Sequence, residues 1–197
     1  MDRLPTLIAL TSLAAVLSCD GDAPPPAKSG GRVDAVVAKA PKVDLDGFCD
    51  VHPSADAAPK FAWPTLAAEA PKATAGWRWI NVWATWCRPC VEELPMLAGL
   101  RSSIAADHLP LELTFLSVDG EAELVARFAK DHPGTPEGLR IRDAATLPQW
   151  LTSIGLDENS ALPIHLFVDD QQRIRCVRMG EVEARHYETV RGLVRGG

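Results

Sequence analysis

Two cysteines three positions apart, set at a strand-to-helix junction, constrain this chain more than any other feature. Trp79-Ile80-Asn81-Val82-Trp83 is a run of bulky, β-prone residues, and Ala84-Thr85-Trp86 leads from it directly into Cys87-Arg88-Pro89-Cys90. Such a run reads as a buried strand feeding a helix. Pro89 suits the first helical turn, where its missing N–H would have no partner anyway, and Glu92 and Glu93 are expected to favour the positive end of the helix dipole. The helix is expected to continue through Leu94, Leu97 and Ala98, with a kink at Pro95. Cys87 would lie exposed at the helix start, facing unpaired N–H groups beside Arg88, and both favour thiolate over thiol. A thiolate there can attack a disulfide to form a mixed disulfide, which Cys90, one turn inside and more buried, would then resolve. The competing reading, half of a zinc site, lacks a second Cys-x-x-Cys or a pair of histidines to complete the ligand shell.

The rest of the chain supplies a scaffold for that junction. Leu111 to Val118 begins as an alternating strand, and Leu124, Val125 and Phe128 then have the spacing of one helical face. Leu139 to Arg142 reads as a short added strand and Leu147 to Ile154 as a helix ending at Gly155. Ile164 to Val168 turns through Asp169-Asp170-Gln171-Gln172 into Arg173 to Met179, a hairpin, and a last helix turns Val190, Leu193 and Val194 inward. Strands linked by helices, then a hairpin and a helix, predict an α/β fold: a central mixed β-sheet flanked by helices, with an N-terminal extension. At 197 residues the chain has room for one such domain and a tail.

The tail carries its own signals. Asp2 and Arg3 precede an apolar run from Leu4 to Leu17 that has the pattern of an export signal over residues 1–18. The run is short of the ~20 apolar residues that a membrane-spanning helix needs. Val16-Leu17-Ser18-Cys19 resembles the bacterial lipoprotein box, which implies lipidation of Cys19; ordinary secretion and a retained apolar anchor are the other readings, and all three place the domain outside the cytoplasm. Residues 19–45, rich in Ala, Pro, Gly, Lys and Asp, are expected to form a flexible tether, with the domain over 46–197 and its core from about 61. The net charge of −6 gives no electrostatic reason to bind nucleic acid.

Five cysteines leave an odd thiol, an oddity that lipidation of Cys19 removes. With Cys87 and Cys90 close enough to pair, Cys49 and Cys176 remain for a structural disulfide worth roughly 4 kcal/mol through loop closure. The alternative is a buried free thiol at Cys176 acting as a small hydrophobe.

The stretch Asn81-Val82-Trp83-Ala84-Thr85-Trp86-Cys87-Arg88-Pro89-Cys90-Val91-Glu92-Glu93-Leu94-Pro95 resembles the TlpA/ResA-like thiol-disulfide oxidoreductases, extracytoplasmic relatives of thioredoxin. The resemblance implies a thioredoxin-like fold, a redox-active disulfide between Cys87 and Cys90, and a cis-proline at Pro163 facing it. That proline would leave the Leu162 backbone free to pair with an extended substrate segment. Asn81 stands where cytoplasmic thioredoxins carry a buried Asp. Glu93, three residues after Cys90 on the same side of the helix, is the implied replacement that takes or returns the proton of the buried thiol. Trp86 is expected to shield the sulfurs and contact substrate. His52, His108, His132, His165 and His186 are scattered, and none is assigned a role.

These features imply an enzyme that reduces disulfides in exported proteins, with apocytochromes c or an oxidase subunit as the substrates the family suggests. It would need re-reduction by a membrane electron donor and no cofactor or metal. An oxidase or isomerase is a variant of this reading. A copper-handling protein using the two thiols as soft ligands is the alternative from another class, opposed by only three Met in the chain and no His beside the motif. A peroxidase is a third.

Overall fold

The computed structural model describes residues 43–73 and 75–196; the expected export signal, Cys19 and nearly all of the expected tether lie outside the described residues. The β-prone run forms β1 (Trp77–Trp83), with every residue buried. It leads into α1 (Arg88–Ala106), which continues as one helix past Pro95 and buries Cys90, Glu93, Leu94, Leu97, Leu100 and Ile104. β2 (Leu111–Ser117) runs parallel to β1, with Trp77 opposite Leu111 and Trp83 opposite Ser117. After α2 (Ala122–Asp131), the short β3 (Leu139–Arg140) pairs in parallel with the end of β2. A 3-10 turn at Ala144–Thr146 leads into α3 (Leu147–Ser153), which ends before Gly155 at φ +83°, a conformation open to glycine because it has no Cβ.

β4 (Ile164–Val168) returns antiparallel to β1, and β5 (Ile174–Met179) pairs antiparallel with β4. The sheet order is β3-β2-β1-β4-β5, a mixed sheet with β1 at its centre. A second 3-10 turn (Ala184–His186) opens α4 (Tyr187–Gly196), which buries Val190, Leu193 and Val194. The helices thus cover a sheet in which β1 and β4 are buried at every residue, as an α/β pattern demands.

The hairpin between β4 and β5 is organised by Asp169. Its Oδ1 accepts the amides of Gln171 and Arg173 at 3.0 and 2.8 Å, and its Oδ2 faces Arg173 Nε at 3.1 Å and Arg175 Nη1 at 3.4 Å. Burial works to raise this carboxyl, yet the hydrogen bonds and charge of Arg173, with Arg175, hold it below its ordinary value.

One expectation is corrected in α2. Leu124 does not share an inward face with Val125 and Phe128; it is exposed, and only the latter two are partly buried. The helix lies over the end of the sheet, touching Trp83 through Phe128 at a ring separation of 5.6 Å, so only a narrow stripe of it has core to meet.

The segment before β1 is packed against the domain. Phe48 is buried beside Phe167 and His186, and Cys49 forms a disulfide with Cys176 of β5, Cα atoms 5.5 Å apart. Val51 exchanges backbone hydrogen bonds with Val177, and the chain continues along β5 as Ile174 donates to Pro59 and Phe61 to Gln172. It then crosses to the other side of the sheet, where Leu66 bridges Ile141 and Ala67 donates to Arg140.

Candidate active site

The loop between β1 and α1 is fixed before the cysteines are reached. Asp119, just beyond β2 and 2% exposed, accepts from the Thr85 amide at 3.0 Å and the Thr85 hydroxyl at 2.8 Å, while Ser117 donates to it at 2.7 Å. Parallel pairing of β1 and β2 is what brings these residues to the same end of the sheet. Cys87 follows as the N-cap of α1. Its Sγ accepts the Cys90 amide at 3.3 Å, and its own amide bonds Ala84 O at 3.1 Å.

Cys87 and Cys90 are joined as a disulfide with Cα atoms 5.3 Å apart. Cys90 is fully buried, whereas Cys87 is 6% exposed and not open to solvent as expected. The reason is its capping role: the side chain folds back over the first helical turn to meet the Cys90 amide and sulfur. Trp86 beside it is 71% exposed, so its indole is not spent on core packing. Glu92 and Glu93 both lie past the first turn, too far in to act mainly on the dipole. Glu92 instead pairs with Arg88 on the surface at 2.7 Å, and Glu93 turns inward.

Glu93 is 5% exposed and anchored from two sides: Asn81 Nδ2 donates to Oε1 at 2.8 Å, and the Val182 amide donates to Oε2 at 2.9 Å. Asn81 therefore partners the carboxylate that the resemblance implies as the replacement for the missing Asp. His165 joins the same cluster. It sits opposite Asn81 in the β1–β4 register, with Nε2 3.3 Å from Glu93 Oε1 and Nδ1 accepting from Trp79 Nε1 at 3.0 Å. Sequence reasoning gave it no role; its one signal was position, two residues after Pro163 in a strand predicted to be buried.

The Leu162–Pro163 peptide is cis. Val82 pairs with Ile164, so Pro163 lies at the end of β4 level with the C-terminal end of β1, where the cysteine loop begins. Among the described residues neither the amide nor the carbonyl of Leu162 has a backbone partner, while Pro163 O accepts from Gly180 at 2.8 Å. The structure thus gathers Trp86, Cys87, Cys90, Glu93, Leu162 and Pro163 at one end of the sheet, and leaves Cys49–Cys176 as a separate bridge. Among the described residues no group of three or more His, Cys, Asp or Glu side chains is placed to hold a metal ion.

No family model matches the chain. A curated relative, the thioredoxin-like protein YneN of Bacillus subtilis, is 34% identical over 50 residues; these are 25% of this chain and 29% of that protein's length. Among solved structures, a secreted thiol-disulfide isomerase from Corynebacterium glutamicum superposes with a TM-score of 0.57 at 19% identity, covering 76% of this chain and 94% of the other. A Chlorobium tepidum protein assigned as the thiol:disulfide interchange protein DsbE gives 0.53 at 17% identity, over 70% and 94%. The chain has the thioredoxin-like fold.

Proposed function

We propose that this thioredoxin-fold chain is an exported thiol-disulfide oxidoreductase that reduces disulfides in exported proteins. The observation that carries the reading is the Cys87–Cys90 disulfide at the start of α1, with Cys87 capping the helix and Cys90 sealed one turn inside. The two positions divide the chemistry. Cys87 is the less deeply buried of the two and stands at the positive end of the helix, so in the reduced chain its sulfur attacks a substrate disulfide. One substrate sulfur leaves as a thiolate, and the other is held on Cys87. Cys90 then gives up its proton, attacks Cys87 Sγ and releases the second substrate thiol, restoring the disulfide. Two electrons pass from enzyme to substrate in each cycle.

Glu93 is the buried carboxylate available to take the Cys90 proton, three residues along the same helix face. Trp86 and the unpartnered Leu162 backbone next to Pro163 are the groups that would hold an extended substrate over the sulfurs. Re-reduction would come from a membrane electron donor, because exported compartments lack the cytosolic reductant pool. A lipid anchor at Cys19 would keep donor and enzyme together. Apocytochromes c or an oxidase subunit are the substrates this reading favours.

The test is capture. With Cys90→Ser the mixed disulfide on Cys87 cannot resolve, so substrates should accumulate on the chain in cells and be identified by mass spectrometry. Absence of captured protein, together with absence of exchange in vitro by the unmodified chain, would rule the function out.

A further inference from the structure

His165 is a buried titratable side chain that the exchange steps above do not use. Its Nδ1 accepts the Trp79 indole N–H at 3.0 Å. An indole can only donate, so Nδ1 carries the lone pair and the ring hydrogen sits on Nε2. Nε2 is the atom turned to Glu93 Oε1, at 3.3 Å, close enough for electrostatic attraction and short of hydrogen-bond alignment. Trp79 cannot yield, since it is itself fully buried against Phe167 with ring centroids 5.1 Å apart. Three N–H groups therefore converge on one carboxylate, from Asn81, Val182 and His165. Charged and titratable groups face His165 from each neighbouring element: Glu93 from α1, Arg178 opposite it on β5, and His186 from the turn before α4.

We propose that His165 is a positioning residue for the proton of Cys90, its Trp79-fixed Nε2–H holding Glu93 in place and favouring the carboxylate over the acid. The inference rests on the exchange reading above. In the resolving step the Cys90 S–H bond breaks and an O–H bond forms on Glu93. The electron pair left on Cys90 attacks Cys87 Sγ, and the bond from Cys87 to the substrate sulfur breaks. The substrate leaves as a thiolate and takes its proton from water. His165 makes no bond in this sequence; it biases where the proton rests, and so at which pH Glu93 is ready for the next turnover.

The test compares His165→Leu, which removes the N–H, with His165→Gln, which can present an amide N–H from a similar position. Each is made in the native full chain and in a Glu93→Gln background. The readouts are the pH dependence of single-turnover insulin reduction by the reduced chain and the melting temperature. In the native background His165→Leu should move the acidic midpoint of the rate profile upward, by at most about one pH unit, through the loss of one N–H dipole facing a charged group. His165→Gln should move it less, and neither should move it once Glu93 is Gln. Should His165→Leu not fold, Trp79→Phe, which releases the tautomer, carries the same expectation of a displaced midpoint. An unmoved midpoint with a lowered melting temperature, or a shift that persists without the Glu93 carboxylate, overturns the inference. A native chain that fails to reduce insulin at any pH overturns the exchange reading instead.

Discussion

Replacing Cys49 and Cys176 together with Ala should destabilise the fold by about 5 kcal/mol at 25 °C, the loop-closure entropy for a bridge of this span. The figure follows from the separation of 127 residues between the two cysteines, which makes most of the described chain one closed loop when unfolded. Folded-state contacts should change little. Phe48 would still pack on Phe167, Arg178 would still donate to Phe48 O at 3.0 Å, and Val51 would still pair with Val177. The loss therefore falls on the unfolded state, which gains freedom, and the denaturant m-value should rise as that state expands. At 2–4 °C per kcal/mol for a chain of this size, melting should fall by about 10–20 °C. Guanidinium and thermal unfolding of the oxidised proteins measure both quantities. A loss below about 1 kcal/mol with an unchanged m-value would refute the reasoning, and would mean that packing alone holds the N-terminal segment in the folded and unfolded chains alike.

Glu93→Gln should slow resolution of the mixed disulfide by about 10²–10⁴-fold, the usual worth of a positioned base, with capture of substrate on Cys87 retained; quenched-flow trapping measures both. Trp86→Ala should leave stability within about 0.5 kcal/mol, because the side chain is 71% exposed, yet weaken substrate capture about tenfold or more. Asp119→Ala should slow exchange without touching a sulfur, since it releases the Thr85 amide and hydroxyl that set the loop before Cys87; an unaltered rate would separate loop order from catalysis. Asp169→Asn should cost about 1–2 kcal/mol at pH 7. The folded carboxyl titrates below the unfolded one, so its contribution is whole above the ordinary carboxylate range and fades as pH falls through the folded value. Urea unfolding at pH 7 and pH 3 should show the gap to wild type closing, and a constant gap would assign the loss to packing.

Local signals made the sheet and its hairpin readable. A β-prone run ending at a helix start, the turn residues Asp169 to Gln172, and the spacing of Val190, Leu193 and Val194 all express short-range rules that side-chain geometry enforces. The cysteine motif belongs to the same class, because a cap and a first turn are built from neighbours. What escaped was long-range. His165 meets Trp79 across 86 positions and Glu93 across the strand–helix interface, a partnership no periodicity encodes. The N-terminal segment touches the sheet through isolated bridges at Val51, Lys60 and Leu66, too sparse to give an alternating pattern. The depth of Cys87 also depended on a choice that composition does not reveal, whether its sulfur points outward or back over its own helix.

The path of that N-terminal segment has a consequence for life among unfolded chains. Unfolded and partly folded polypeptides carry loose strands, each able to extend any sheet with an open border. Here Val51 and Lys60 occupy the outer side of β5, and Leu66 and Ala67 occupy the side where β3 is too short to be a template. With both margins taken by its own polypeptide, and one of them tied covalently at Cys49, the sheet is guarded on each side against being lengthened by a loose strand.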